Sequence, residues 1–210
     1  MIFSFYFNLF LMFFSFLFDR LLVTKPLLVR GLNKMEKILR NKYLHVCVKI
    51  IGITIIICSV ELLFINVMYG NALNVKGLNK KLGSFGEYGA IIAASLWFLR
   101  HIWLFLKNKN IQGFKKVKEI YLFAKKFHVL IGYAVIAVTI THGVYFLIKG
   151  SRHILLIYSG IFSLLAIIVL GIVGFYLQRI NNKEKFVMYK KVHQIIVIIF
   201  GIGLFIHLIV

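Results

Sequence analysis

The chain contains few cysteines, prolines and acidic residues. Its 210 residues include two Cys, one Pro and six Asp or Glu. Cys47 and Cys58 are eleven positions apart, about 16 Å along one helix, so they cannot form a disulfide with each other. No CxxC, CxxCH, P-loop or strand-associated GxGxxG pattern occurs. These absences exclude thiolate metal clusters, covalently attached c-type haem and a nucleotide-binding domain.

Apolar residues make up 61% of the chain, and several windows reach the roughly 20 residues that a helix needs to cross a hydrocarbon core about 30 Å thick. The composition therefore predicts an all-α integral membrane protein with a bundle of five core transmembrane helices. The predicted spans are 50–69, 88–106, 128–148, 154–178 and 192–210.

The first 34 residues allow two interpretations. The run MIFSFYFNLFLMFFSFLF, ended by Asp19 and Arg20, is long enough for a sixth span and lacks the basic start and small-residue cleavage site of a secretory signal. Alternatively, translation begins at Met35 and the preceding residues are an upstream extension. We therefore expect an apolar N-terminal segment, 1–34, and a transmembrane domain, 35–210.

Basic residues alternate in abundance between successive loops, and the formal net charge is +20. Lys and Arg number eight between Arg20 and Lys49, seven between Lys107 and Lys126, and five between Arg179 and Lys191, against three and two in the other loops. The bias predicts a multi-pass protein of the cell membrane, with the basic loops cytoplasmic and the C-terminus outside. Anionic lipid headgroups account for the lysines, so no nucleic acid partner is expected.

Two of the predicted helices each carry a pair of histidines fourteen positions apart: His128 and His142 on the third, His193 and His207 on the fifth. Fourteen residues rise about 21 Å and fall about 40° short of four turns, so each pair projects from one face at two depths. Both helices run outward in the predicted topology. The first members would therefore meet near the cytoplasm and the second members near the outer face, as two stacked bis-imidazole sites.

Haem b suits such sites, because its iron takes two axial ligands and its macrocycle is apolar. Histidines that pack against neighbouring helices or relay protons are the alternative. Zinc fits less well, since it favours ligands clustered at one depth. Glycines on these helices could make room for a flat ring, whereas Gly171 and Gly174 indicate close helix packing. The glycines in question are Gly132, Gly143, Gly201 and Gly203.

Over residues 45–210 the chain resembles the ferric reductase-like transmembrane domain family, which includes ferric reductases, NADPH oxidases and the haem subunit of the methionine sulfoxide reductase system. The resemblance rests on the histidine spacing and the helix order. It implies a di-haem domain with an inner haem b on His128 and His193, an outer haem b on His142 and His207, and electron transfer to an acceptor at the outer face. FAD or FMN is expected only on a partner, so the donor would be a separate flavoprotein reductase or a quinol.

Haem propionates need cationic or hydrogen-bonding partners. Arg100 and His101 are candidates for the inner haem, and Lys149, Arg152 and His153 for the outer one. Snorkelling of Arg100 to the interface and simple solvation of the loop residues are the alternatives.

Three functions follow from these observations. The first is the haem-bearing electron-transfer subunit of an oxidoreductase of the ferric reductase-like type. The second is a cytochrome b membrane anchor that exchanges electrons between a dehydrogenase and quinone. The third is a transporter or scaffold without haem.

Overall fold

A computed structural model describes residues 39, 41–69, 75–111, 113–150 and 154–210, and within these ranges it contains helices and no strand. Each predicted span coincides with one helix, so the predicted all-α architecture with five core helices is confirmed. The helices are α1 (Lys42–Tyr69), α2 (Lys76–Asn108), α3 (Phe114–Lys149), α4 (Ile154–Arg179) and α5 (Lys183–Ile209). Residues 1–34, with their predicted sixth span, lie outside the described residues.

Most helices begin before the span that hydropathy predicts. The longest, α3, has 36 residues and is therefore about 54 Å long, well over the roughly 30 Å of a hydrocarbon core. Its extra turns contain Lys115, Lys116 and Lys118. Lysine is a good helix former, so charge ends the apolar window without ending the helix.

All five helices are long and apolar enough to cross a membrane. Large apolar side chains also cover their outer surfaces: Phe64 is 62% exposed and Ile198 is 64% exposed. Apolar surface on this scale is characteristic of contact with lipid or another protein rather than water. The fold thus fits a multi-pass membrane protein.

The connection between α4 and α5 places these helices side by side and antiparallel, because only residues 180–182 separate them. The side-chain oxygen of Asn182 caps α5 by accepting hydrogen bonds from the backbone N–H groups of Glu184 (2.9 Å) and Lys185 (3.1 Å). This cap fixes the residue at which α5 begins.

The described chain divides into two compact units. The first contains residues 41–45 together with Leu99–Phe123, where the Trp103 and Tyr121 rings stack 5.5 Å apart. The second contains Val46–Phe98 and Ala124–Val210.

An apolar core occupies the middle of the second unit. It is formed by Val135 of α3, Ala166 and Ile167 of α4, and Phe200 of α5. Val135 lies between the two histidines of α3, and Phe200 lies between those of α5. The core therefore holds α3 and α5 against α4 at a level between the two histidine pairs.

Candidate functional site

The first histidine pair consists of His128 on α3 and His193 on α5, which lie side by side. The centres of their rings are 6.4 Å apart, and the ring planes are inclined at 73°. Two imidazole nitrogens that bind one metal from opposite sides, each at about 2.0–2.1 Å, are about 4 Å apart. Each nitrogen lies about 1 Å from the centre of its ring, so the two ring centres would be about 6 Å apart. The observed separation suits two imidazoles on opposite sides of one metal.

Neither ring of the first pair has a hydrogen-bond partner at Nδ1. Among the described residues, the Nδ1 atoms of His128 and His193 are both buried and unpaired. An unsatisfied buried polar atom costs about 1–3 kcal/mol, and in a native protein it calls for an explanation such as a missing ligand or a functional role. Two such atoms on adjacent rings mark this position as a candidate binding site.

The second histidine pair consists of His142 on α3 and His207 on α5. Nδ1 of His142 lies 2.8 Å from the backbone carbonyl oxygen of Asn79. A carbonyl oxygen can only accept, so Nδ1 carries the proton, and in a neutral ring Nε2 keeps its lone pair. His142 is therefore in the tautomer that a metal ligand binding through Nε2 requires.

The same reasoning applies to His207. Its Nδ1 lies 3.1 Å from the hydroxyl oxygen of Ser159 on α4. The hydroxyl of Ser159 also lies 3.1 Å from the carbonyl oxygen of Leu156, and when it donates its only proton there, its oxygen accepts from Nδ1–H of His207. Metal-bound histidines generally donate their other ring N–H in this way, to a carbonyl or a similar acceptor.

The two pairs have the same register along α3 and α5. His142 lies fourteen residues after His128 on α3, and His207 lies fourteen residues after His193 on α5. A match at two levels requires α3 and α5 to run in the same direction. The rise between the levels is about 21 Å along each helix.

Glycines of neighbouring helices border three of the four imidazoles. A Cβ atom placed on Gly83 of α2 would lie 2.6 Å from Cε1 of His142, and one on Gly160 of α4 would lie 3.2 Å from Cε1 of His207. One on Gly174 of α4 would lie 3.5 Å from Cε1 of His193. The imidazole edges thus pack against helix backbone.

Gly160 and Gly174 are themselves fourteen positions apart, the spacing of the histidines they face across the antiparallel α4–α5 pair. This repeat is visible in the sequence, and it gives Gly174 a role beyond the helix packing that its GxxG pattern predicts.

The glycines that the sequence suggests as room for a flat ring divide into two groups. A Cβ atom placed on Gly132 or Gly201 would have no atom within 4 Å, so there is space beside both. Gly143 and Gly203 instead face side chains of α4, which are those of Leu164 and Phe162 respectively. Only the first two glycines therefore leave the space that the sequence interpretation expects.

Most of the predicted propionate partners lie either in the other unit or outside the described residues. Arg100 and His101 belong to the first unit, whereas all four histidines belong to the second. Arg152 and His153 lie outside the described residues. Lys149, the remaining candidate, is the last residue of α3.

Two polar residues that do contact the histidines, Asn79 and Ser159, were not predicted. Single polar residues in apolar helices give no pattern until their neighbours are known. Ser159 lies in a predicted span and Asn79 before one, and no signal in the sequence distinguishes either from other isolated polar residues.

The donor set fits a haem better than a bare metal ion. Within the described residues, no three His, Cys, Asp or Glu side chains are close enough to hold a metal ion together. A haem needs only two axial protein ligands, because the macrocycle supplies the other four.

Comparison of the chain with protein-family models, with curated proteins and with solved structures found no match.

Proposed function

We propose that the chain is the haem-bearing subunit of a transmembrane electron-transfer system of the ferric reductase-like type. His128 and His193 would hold the inner b haem, and His142 and His207 the outer one. When bound, the haems supply one-electron redox chemistry at two depths of the membrane. The proposed direction runs from a donor on the cytoplasmic side of the cell membrane to an acceptor at the outer face.

The observation that carries this proposal is the paired register of the four imidazoles. Ring centres 6.4 Å apart at the first pair match two ligands of one iron, and the second pair recurs fourteen residues along both helices. Histidines that serve only packing have no need to repeat at one spacing on two parallel helices. Histidines that hold two stacked cofactors do.

Hydrogen bonds at the second pair support iron binding through Nε2. The Asn79 carbonyl holds the proton on Nδ1 of His142, and the Ser159 hydroxyl does the same for His207 when it accepts from that ring, which leaves Nε2 unprotonated. The ligands thus need neither a change of tautomer nor a change of charge. Such preorganisation reduces the ordering cost of binding.

A basic surface lies next to the first pair. Lys183, Lys185 and Lys191 are exposed on the first turns of α5, at the end of the helix that carries His193. An acidic flavoprotein could dock there by electrostatic steering, which weakens as salt rises.

The decisive experiment is to measure haem binding by the full-length protein in detergent or lipid nanodiscs. We expect two b haems per chain by pyridine haemochrome assay, with a reduced-minus-oxidised spectrum that resolves into two components. Replacement of His142 or His207 by alanine should remove mainly one component, and replacement of His128 or His193 mainly the other. Free imidazole should restore part of each loss.

His45→Ala is the matched control. His45 is also a helical histidine, but it belongs to the first unit and to neither pair. It should keep both haems. Folded wild-type protein that binds no haem would eliminate the proposal and leave the transporter or scaffold hypothesis, while the same spectral loss from all four variants would eliminate the pairing.

Donor tests in vesicles separate the remaining alternative. Reduction by NADH or NADPH only when a flavoprotein reductase is present supports the ferric reductase-like system. Reduction by a quinol alone, without any flavoprotein, would favour the cytochrome b anchor, in which the same histidines hold the haems.

A further inference from the structure

A pair of asparagines is completely buried among the candidate membrane spans. Asn66 of α1 and Asn79 of α2 are both 0% exposed. Their amides bond reciprocally: Nδ2 of Asn66 donates to Oδ1 of Asn79 at 2.8 Å, and Nδ2 of Asn79 donates to Oδ1 of Asn66 at 3.0 Å. Burial of unpaired amides costs several kcal/mol, so polar residues at this position in a membrane helix demand a reason.

The remaining amide protons of the pair are also used. Asn79 donates to the carbonyl oxygen of Val75 at 3.1 Å, and Asn66 donates to that of Thr141 at 3.4 Å. The hydroxyl of Thr141 in turn lies 2.8 Å from the carbonyl oxygen of Ser59 on α1 and 2.9 Å from that of Ala137 on its own helix, so these two acceptors share its one proton. The network therefore has no unsatisfied amide N–H and connects α1, α2 and α3.

This network ends at His142. Thr141 directly precedes His142 in α3, and the backbone carbonyl of Asn79 is the acceptor for Nδ1–H of His142. Gly83, one turn after Asn79, leaves the room through which the imidazole reaches that carbonyl. The side-chain amides of Asn66 and Asn79 thus hold two groups in place: the Thr141 backbone next to His142, and the Asn79 carbonyl that accepts the Nδ1 proton of His142.

The first pair has no equivalent arrangement, because Nδ1 of His128 and of His193 lacks a partner among the described residues. The difference between the two levels shows that the fold does not require such a network wherever a histidine lies between helices. The network belongs to His142 specifically.

We propose that Asn66 and Asn79 are positioning residues for His142: they hold the Asn79 carbonyl on Nδ1–H, fix the tautomer of the ring and orient its Nε2 toward the iron of the outer haem. The part of this proposal that concerns iron rests on the haem function proposed above. The part that concerns the tautomer of His142 does not depend on haem. A strong acceptor for Nδ1–H also makes the imidazole a more basic ligand through Nε2. A more basic ligand favours ferric iron and lowers the reduction potential of that haem.

The test uses the double variant Asn66→Leu/Asn79→Leu of the full-length protein. Removal of both amides together avoids a buried amide without a partner, and an apolar pair of similar size is close to neutral for folding. Thr141→Val is a milder second variant, because valine has the shape of threonine without the hydroxyl. Ser95→Ala is the control on α2, since among the described residues the hydroxyl of Ser95 bonds only to its own helix, at the carbonyl of Ile92.

Two sets of measurements are made on each protein, one without haem and one with haem bound. Nitrogen-15 spectra of histidine-labelled protein without haem, with the His142 signal assigned by its loss in His142→Ala, report the tautomer. Haem titration, redox titration and electron paramagnetic resonance of the haem-loaded protein report the affinity, potential and ligand field of each site. The inner haem in the same molecule serves as an internal reference.

We expect wild-type His142 to hold its proton on Nδ1 and the double variant to mix tautomers. We also expect the affinity of the outer site for haem to fall about 10–100-fold and its potential to rise, with the inner site unchanged. Thr141→Val should shift the same quantities less, and Ser95→Ala should match the wild type.

An unaltered His142 tautomer in the folded double variant would overturn the positioning role, whether or not haem binds. So would outer-haem values that stay at wild-type levels, or losses at both haems that merely follow a loss of thermal stability. Folded wild-type protein without haem but with the fixed tautomer would instead overturn the proposed function and leave the positioning of the ring established.

Discussion

Replacement of Gly83 by alanine should weaken the second histidine site selectively. The added Cβ would lie 2.6 Å from Cε1 and 2.8 Å from Nδ1 of His142, closer than side-chain carbons approach their neighbours. The imidazole must move off the Asn79 carbonyl, and overpacking of this kind costs about 1–3 kcal/mol. If the cost falls on the ligand, the affinity of the second site for haem drops about 5- to 150-fold.

The fold itself should tolerate the change. Alanine stabilises a helix interior by about 0.8–1.0 kcal/mol relative to glycine, which opposes the effect of the clash on overall stability. Gly77→Ala on the same helix is the matched control, because its Cβ would meet no atom within 4 Å. Gly77 lies in the first turn of α2, so this control lacks the contact and gains less helix stability than an interior position does.

Alanine substitutions at two glycines of α4 add longer distances between the added Cβ and a histidine ring. The Cβ atom would lie 3.2 Å from His207 in Gly160→Ala, a tight contact, and 3.5 Å from His193 in Gly174→Ala, an ordinary one. Haem titration of the purified proteins, with thermal unfolding measured in parallel, should rank the losses in affinity as Gly83 first, Gly160 second, and Gly174 equal to the Gly77 control. Equal haem affinity in the Gly83 and Gly77 variants, or the greatest loss at Gly174, would refute the packing of imidazole edges against glycine.

Three further predictions test other parts of the proposal. Ser159→Ala removes the acceptor of Nδ1–H of His207, so the outer haem should bind about 10–100-fold more weakly by haem titration, while the inner haem stays at its wild-type affinity; a loss at the inner haem instead would contradict the assignment. A reporter fused after Val210 should be exposed on the outer side of the cell membrane, and cytoplasmic reporter activity would reverse the predicted direction of electron flow. Replacement of Lys183 and Lys185 by glutamate should slow haem reduction by an acidic flavoprotein reductase at low salt and have little effect at high salt; an equal effect at all salt concentrations would argue against docking at this surface.

The fold can be predicted because membrane spans are specified locally. A window of about 20 apolar residues is enough to place a helix in a membrane, where backbone groups have no other partners. Hydropathy alone therefore locates the spans at 50–69 and 154–178. Four of the five helices begin before their predicted spans, as α3 does, since lysines lower hydropathy without opposing helix formation.

The candidate ligands can also be predicted from the sequence, because two residues fourteen positions apart on a helix lie on the same face. His128 and His142 on one helix, with His193 and His207 on another, require no knowledge of the packing. The propionate partners, in contrast, depend on how the helices pack. Charge and predicted depth make Arg100 a candidate, but neither property indicates which side of a helix faces which neighbour.

What the sequence determined by itself is the set of helices and the presence of two imidazole levels, since both depend on periodicity within single segments. The tertiary structure alone decided what touches the rings. Asn66 and Asn79 are thirteen residues apart on different helices, and Asn79 is a further 63 residues from His142. Contacts at such separations arise from the register in which helices pack, which is settled by the sum of many side-chain fits across the bundle and not by any local pattern.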